Sequence, residues 1–207
     1  MKIEAEKNRY YGDVGWKSDK DLFVDVAVTW KQWLGSARKH LYTAEILLPL
    51  IVEEQHKIRE LMENKEPGSL PPSLTVIYFF HCALAIENTM KSVISWKHNT
   101  DIKEKMKTST KLPALFKSHV LIDLAKRADY EIGINKEYTL SFLTRYGIWG
   151  GKYPLPTMNE HNALTAKLSD GNHYLVGGYR PEIVPSFLKF CSNAYDWARL
   201  KVNKPYR

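Results

Sequence analysis

A chain of 207 residues is long enough for one sizeable hydrophobic core, and 44% hydrophobic with 26% charged residues is typical of a globular protein. The longest apolar run, LTVIYFFHCALAI, is interrupted by His81 and is shorter than the roughly 20 residues that span a bilayer. The first residues lack the apolar segment of a secretory signal, and the two cysteines form no CxxC pair. These features predict a cytoplasmic protein without membrane contact, in which Cys82 and Cys191 are reduced core residues.

The net charge of +7 and the pI near 9.2 favour an acidic partner, and nucleic acid above all. The densest group of cations lies in DIKEKMKTSTKLP and consists of Lys103, Lys105, Lys107 and Lys111. We interpret this stretch as a mobile polar loop. Because charged loops also keep proteins in solution, a nucleic-acid contact and a solubilising surface are both open interpretations of its charge.

The N-terminal half is predicted to contain a polar arm over residues 1–20 and then two long helices. From Asp21 apolar residues recur at three- and four-residue steps until the segment NKEPGSLPP ends the pattern. Pro49 lies within this helix and is expected to kink or divide it. Ser73 is expected to cap the second helix, residues 74–96, which is apolar nearly all round and therefore predicted to be central.

The C-terminal half is predicted to contain three further helices: residues 118–130 with Ser118 as a cap, a helix from Lys136 that stops by Gly150, and residues 182–202. Between them we expect a polar loop at residues 98–116 and an irregular stretch at residues 157–178, with a helical turn at residues 160–168. The alternating pattern of β-strands is essentially absent. The predicted fold class is all-α, an up-and-down helical bundle of four to five core helices plus an additional C-terminal helix, in a single domain over residues 21–207.

The central helix carries a polar stripe. His81, Asn88 and Lys91 lie seven and three residues apart, and Glu87 precedes Lys91 by four residues, a spacing at which opposite charges attract on a helix. Because an unpaired buried carboxylate is costly, Glu87 needs a partner, and Lys91, Arg145 or a backbone donor is expected. His81 is interpreted as a core histidine whose hydrogen bonds are satisfied.

Familiar catalytic and cofactor motifs are missing. The seven histidines have no metal-ligand spacing, and no phosphate-cradling GxxxxGK[ST] loop or G-x-S-x-G nucleophile elbow is present. The sequence therefore predicts no metal and no cofactor.

Three segments, taken in order, resemble the HEPN superfamily: YFFHCALAIENTMKSVI, SHVLIDLA and RYGIWGGKYP. In the first, AIEN followed by Lys91 matches the family's second helix; in the second, SHVL and the leucine that follows match its next motif. GKYP matches a (G)RYP-like end with lysine in place of the usual arginine, and SARKHLYTAEILL is similar to the opening helix. The similarity covers residues 31–156.

The resemblance implies a bundle of four or five helices that is commonly dimeric. Catalytic members of the family are metal-independent ribonucleases of toxin–antitoxin and antiviral systems, and they use an arginine followed a few residues later by a histidine. Here Arg145 is followed by no histidine until His161. The ribonuclease motif is therefore absent, and no imidazole near Arg145 in the sequence is placed to move a proton.

Arg145 and Lys152 lie where the resembling family keeps its site, so the resemblance makes them the expected phosphate-binding residues. Trp149 and Tyr153 are expected to stack on a base. Each also has a structural explanation, since cations suit a helix C-terminus and aromatic rings cover core edges. In GIWGGKYP the two central glycines and the proline are sufficient to end a helix. Glu87, Lys91 and His119 are expected to be structural polar residues.

Three hypotheses result. The first is a HEPN-like, non-catalytic module that binds RNA or a nucleotide as a homodimer, in a defence or toxin–antitoxin system with a partner protein encoded nearby. The second is a divergent metal-independent ribonuclease, in which Arg145 stabilises the phosphate and His119 or Tyr153 transfers the proton. The third is a helical interaction scaffold with no specific nucleic-acid partner.

Overall fold

The structure is a computed structural model that describes residue 24 and residues 29–64, 74–109, 111–150, 165–167, 173–175 and 181–203. In this part of the chain the α-helices are α1 (Trp30–Asn64), α2 (Thr75–Lys97), α3 (Asn99–Thr108), α4 (Leu121–Arg127), α5 (Ile134–Arg145) and α6 (Val184–Val202). Short 3-10 helices cover Ala114–Phe116 and Pro181–Ile183, and a π-helical turn covers Tyr146–Gly150. Helices dominate the described residues, which confirms the predicted all-α class.

Helix α2 is the centre of the packing. It contacts each of the five other described α-helices, and its residues are buried on nearly every side, as its all-round apolar sequence predicts. Its Phe79 ring lies in a cluster with the rings of Phe142, Tyr146 and Phe187, at centroid distances of 4.9, 5.0 and 4.9 Å. This cluster joins α2, α5, the π-helical turn and α6 in one core.

The directions of the helices follow from their contacts with α2. Helix α1 is antiparallel to α2, since its C-terminal half contacts the start of α2 through Glu54 and Leu74. Helix α6 is parallel to α2, because Tyr78 Oη donates to the Val184 carbonyl at one end while Lys97 and Lys201 both lie near Asp129 at the other. Helices α2 and α6 therefore run in the same direction, opposite to α1.

Helix α1 continues through Pro49, so of the two predicted effects of this proline, a kink or a division, the division does not occur. Pro49 lies on the exposed face of the helix, where water can solvate the carbonyl that the missing N–H leaves unbonded. Ala44 and Ile51 on either side are fully buried and hold both halves against the core. The helix ends at Asn64, where the segment NKEPGSLPP was predicted to stop it.

Residues 98–116 are not the polar loop that the sequence predicts. Helix α3 occupies most of the stretch, and a 3-10 helix follows it. Ile102 and Met106, one helical turn apart, are fully buried, and Phe116 is almost so. Two apolar side chains in ten residues are too few for a clear periodic pattern, so tertiary packing decides the structure here.

Helix α4 is shorter than predicted and ends differently. Its inner face is buried as expected, but Ser118 lies outside the helix, and its hydroxyl accepts a hydrogen bond from Val120 N at 3.2 Å. The chain leaves α4 through Asp129, which has a φ of 55°. This is the left-handed region, which Asp tolerates better than most residues. Gly133 is the residue before α5.

A short strand pair lies where a helical turn was expected. Strands β1 (Thr165–Lys167) and β2 (His173–Leu175) pair antiparallel, with Ala166 opposite Tyr174. The prediction of a helical turn at residues 160–168 is therefore wrong at residues 165–167, which form β1. Three-residue strands are too short to produce a recognisable alternating pattern. The rest of that turn, the N-terminal arm, the predicted helix start at Asp21 and the Ser73 cap lie outside the described residues.

A carboxylate from α1 caps the start of α2. Leu74 holds the N-cap position, and its backbone N–H donates to Glu54 Oε2 at 3.0 Å. Glu54 is only 7% exposed, and its charge lies at the positive end of the α2 dipole. This long-range contact orients α1 against α2 and satisfies one of the free N–H groups at the helix start.

Removal of this cap is expected to weaken the fold. Glu54→Ala should lower the free energy of unfolding by about 1 kcal/mol, because it removes both the hydrogen bond and the charge–dipole attraction. Urea denaturation followed by circular dichroism measures the change. Glu53→Ala is the matched control, since Glu53 is exposed and pairs with Lys57 on the surface of α1. Equal destabilisation by both variants would show that Glu54 does not act as a cap.

Candidate functional site

Of the residues predicted to bind phosphate and bases, the structure describes only Arg145 with its side chain. Arg145 ends α5, is partly buried, and burial lowers the pKa of its guanidinium from the usual value. The backbone of Trp149 lies in the π-helical turn, whereas Lys152 and Tyr153 lie outside the described residues. Whether Arg145 and Lys152 act together is therefore still a prediction.

The π-helical turn brings the chain that follows Arg145 close to α2. A Cβ atom at Gly147 would lie 3.2 Å from the Cβ of Ala83, closer than such atoms usually approach. Gly147 is therefore needed for close packing rather than for an unusual backbone angle. The π-helical turn extends the helical structure beyond α5 to Gly150, the residue by which the sequence predicts a stop.

The polar stripe of α2 contains a buried ion pair, as its spacing predicts. Lys91 Nζ donates to Glu87 Oε1 at 2.6 Å, and the two residues are only 4% and 6% exposed. Because two opposite charges this deep in a protein neutralise each other at close range, the pair is stable only while both partners are present. Lys91 is thus confirmed as a partner of Glu87.

His119 joins this pair from the segment before α4. Its Nδ1 atom lies 3.1 and 3.2 Å from the two carboxylate oxygens of Glu87, while 53% of its side chain is exposed. The contact partner of His119 is the buried carboxylate of Glu87, and its role as a structural residue stays a prediction. A carboxylate that binds one imidazole nitrogen fixes the ring and directs the other nitrogen away from itself.

The ring of Trp33 lies beside the ion pair and is stacked on Phe116, a contact that no pattern in the sequence predicts. Trp33 of α1 stacks on Phe116 at a centroid distance of 5.2 Å and an interplanar angle of 17°. Lys91 Nζ lies 5.5 Å from the centroid of the Trp33 ring, within the range of a cation–π interaction. The stack therefore shields the charges and joins α1 to the segment that carries His119.

A second pair of imidazoles connects α1 and α2. His40 Nδ1 and His81 Nδ1 lie 3.0 Å apart, so one nitrogen donates and the other accepts. Burial lowers the pKa of both rings, and the neighbouring His81 lowers the pKa of His40 further. His81 is therefore a histidine with a hydrogen-bond partner, as predicted, but the partner is another titrating group.

This pair makes stability depend on pH in a defined direction. Both pKa values lie below the usual 6.5 in the folded chain, so the unfolded chain binds protons first as the pH falls. We expect stability to be complete above pH 6.5 and to decline progressively below it. The melting temperature, followed between pH 8 and pH 5, measures this decline.

The decline should be smaller in His81→Phe, because this change removes one of the two buried titrating rings. His56→Gln is the control, since His56 is exposed on α1 and its change should leave the pH dependence intact. An identical slope in the wild type and His81→Phe would show that the pair does not control acid stability.

A groove between α1 and α2 opens beside the covered ion pair. It encloses a cavity of about 380 Å³, within the range of small-molecule sites. Its walls include Gln32, Trp33, Gly35, Ser36, Lys39 and Asn88, and the larger part of their exposed surface is apolar. Trp33 lines the groove and stacks on Phe116, which lies in the most basic part of the chain.

We define the basic segment as residues 98–127, which include α3 and α4. It contains seven lysines and arginines against three aspartates and glutamates, a net charge of +4 out of the chain's +7. The segment is anchored at several points, since Ile102 and Met106 are buried and Arg127 Nη1 donates to the Leu115 carbonyl at 3.1 Å. The lysines of the predicted loop therefore project from folded structure.

Within the ranges that the structure describes, no group of three or more His, Cys, Asp or Glu side chains is arranged to hold a metal ion. Within the same ranges, no helix combines the length and the apolar character needed to cross a bilayer. No protein-family model, curated protein or solved structure matches the chain at a significant level.

Proposed function

We propose that this chain is a non-catalytic helical module that binds nucleic acid or a nucleotide. The observation that carries the proposal is the concentration of positive charge on the basic segment. Lys103, Lys105 and Lys111 are exposed there, and none of them has an ion-pair partner among the described residues. Phosphate groups are the complementary partners for such an array, because each lysine that contacts a phosphate releases a bound counterion.

The resemblance to the HEPN superfamily supports the same function. It adds to the proposal a HEPN-like bundle, a homodimer, and a defence or toxin–antitoxin setting with a partner protein encoded nearby. Arg145 at the end of α5 is the second expected phosphate contact, together with Lys152 and Tyr153. A guanidinium that is held partly buried at a helix end can donate hydrogen bonds to two oxygens of one phosphate at once.

Salt-dependent binding of a fluorescent single-stranded RNA tests the main proposal. The triple variant Lys103→Gln/Lys105→Gln/Lys111→Gln should lower the slope of log Kd against log salt by about 2, since each contact contributes about 0.7 on single strands. The matched control, Lys57→Gln/Lys189→Gln/Arg199→Gln, removes the same charge from other exposed positions and should keep the slope.

Two further results decide between the hypotheses. Arg145→Ala and Lys152→Ala should each weaken RNA binding if the HEPN-like position contributes phosphate contacts. Equal loss of binding in both triple variants would mean that only the total charge matters, and the scaffold hypothesis would then be favoured.

A second candidate function is metal-independent RNA cleavage, and the contact between His119 and Glu87 favours it. A half-exposed imidazole that is oriented by a buried carboxylate is an arrangement that proteins use for proton transfer. In this alternative Arg145 stabilises the phosphate, and His119 or Tyr153 transfers the proton.

Incubation of labelled RNA with the purified protein in EDTA tests the alternative. Cleavage that disappears in His119→Gln and in Arg145→Ala would establish it. Intact RNA, or cleavage that persists in both variants, would exclude it and leave binding as the function.

A further inference from the structure

We propose that the groove between α1 and α2 binds one nucleoside monophosphate, either free or as the terminal nucleotide of an RNA strand. The inference rests on the proposed function and specifies where a nucleotide is held. Its basis is the cavity of about 380 Å³ and the chemistry of the described residues that line it.

Two of the side chains that line the groove, Trp33 and Asn88, are held in position before a ligand arrives. Trp33 is held by the stacked ring of Phe116 and by the ammonium group of Lys91. Asn88 is only 9% exposed, and its Nδ2 atom donates to the Leu84 carbonyl at 2.8 Å, which fixes its carboxamide. A site with fixed walls loses little conformational entropy on binding.

The lining groups match the chemistry of a single nucleotide. Gln32 and Asn88 each carry a carboxamide, which offers a donor and an acceptor side by side and so matches the edge of a base. Lys39 supplies one ammonium group for a phosphate, and it forms no ion pair within the described part of the chain. Ser36 adds a hydroxyl that can bind either the base or the phosphate.

The same lining argues against other ligands. Five of the described lining residues carry a polar atom, so a nucleotide can form hydrogen bonds in the groove that a purely apolar ligand cannot form. One lysine is enough for a monophosphate but leaves most of the charge of a triphosphate without a cation. Because the ring of Trp33 already contacts Phe116 and Lys91, we expect its edge, rather than a base stack, to face the ligand.

Gly35 provides a way to close the site without damage to the fold. It lies within α1 and lines the groove, and a Cβ atom at this position would meet no other atom within 4 Å. Gly35→Leu should therefore occupy part of the cavity and obstruct a ligand there, while it raises the helix propensity of α1. Gly35→Ala is the matched control, since it gives a similar gain in propensity but leaves most of the space open.

The test is calorimetric titration of the full chain with AMP, GMP, CMP and UMP, and separately with short RNA that carries a 5′-phosphate or a 5′-hydroxyl. We expect binding to weaken at least tenfold in Gly35→Leu and in Lys39→Gln but not in Gly35→Ala. If only free nucleotides are affected, the ligand is a mononucleotide; if only the 5′-phosphorylated RNA is affected, the ligand is a strand end.

Nucleotide and RNA affinities that are unchanged in Gly35→Leu would overturn this inference, as would the absence of binding by any of these probes. The proposed function fails in a different way, through an unchanged salt slope in the Lys103→Gln/Lys105→Gln/Lys111→Gln variant. Salt-dependent RNA binding that Gly35→Leu leaves unchanged would mean that the basic segment binds RNA and the groove does not. Mononucleotide binding that Gly35→Leu abolishes, with no effect of the lysine variant, supports the groove alone.

Discussion

Glu87→Leu is expected to lower the free energy of unfolding by about 3–5 kcal/mol, because it leaves the Lys91 ammonium buried without its carboxylate. Lys91 is 4% exposed, and its contact with the Trp33 ring offers only a weaker electrostatic attraction. The variant also removes the partner of His119, so the segment before α4 loses its contact with α2. Chemical denaturation followed by tryptophan fluorescence measures the change.

The double variant Glu87→Leu/Lys91→Met separates the cost of an unpaired charge from the loss of packing. Both positions then carry apolar side chains of similar length, and replacement of a whole buried ion pair is often close to neutral. The double variant should therefore recover most of the stability that the single variant loses. A double variant that is as unstable as Glu87→Leu would mean that the pair contributes through its shape rather than its charge.

Phe79→Ala is expected to cost about 3–5 kcal/mol, since it removes a fully buried ring from the centre of the core. The ring contacts Phe142, Tyr146 and Phe187, so its loss leaves a cavity between three elements that join the core from different parts of the chain. The midpoint of thermal unfolding should fall by several degrees, as calorimetry can measure.

Two controls accompany this prediction. Leu200→Ala, at a position that is 64% exposed on α6, should change stability by no more than about 0.5 kcal/mol. Phe79→Leu retains much of the buried volume and should fall between the two. A Phe79→Ala variant that is as stable as the wild type would show that the core can close around the missing ring.

The sequence predicts those features that depend on local spacing. Helix α2 was recognised because apolar residues surround it on all sides, and the pair of Glu87 and Lys91 was recognised because four residues separate them. The start and end of α6 were predicted within a few residues for the same reason. Local periodicity therefore gave the fold class and most helices.

Features that depend on contacts between distant residues were missed. Nothing near His40 indicates that its partner is His81, which lies 41 positions away, and nothing near Trp33 indicates Phe116. The sequence predicts a loop where α3 lies, because the helix is held by burial of Ile102 and Met106 in the core and its sequence has no clear apolar period. The α1–α2 groove is a product of these same long-range contacts, so no pattern in the sequence indicates it.

The packing of α6 against α2 also determines the chemical reactivity of the Cys191 thiol. The sequence contains two cysteines, both are buried, and Cys191 Sγ lies 3.6 Å from the Cys82 carbonyl oxygen. Burial raises the pKa of the Cys191 thiol, so the reactive thiolate is rare while α6 is in place. A thiol reagent therefore labels this sulfur only when the two helices separate, and the rate of its labelling under native conditions reports how often the core opens.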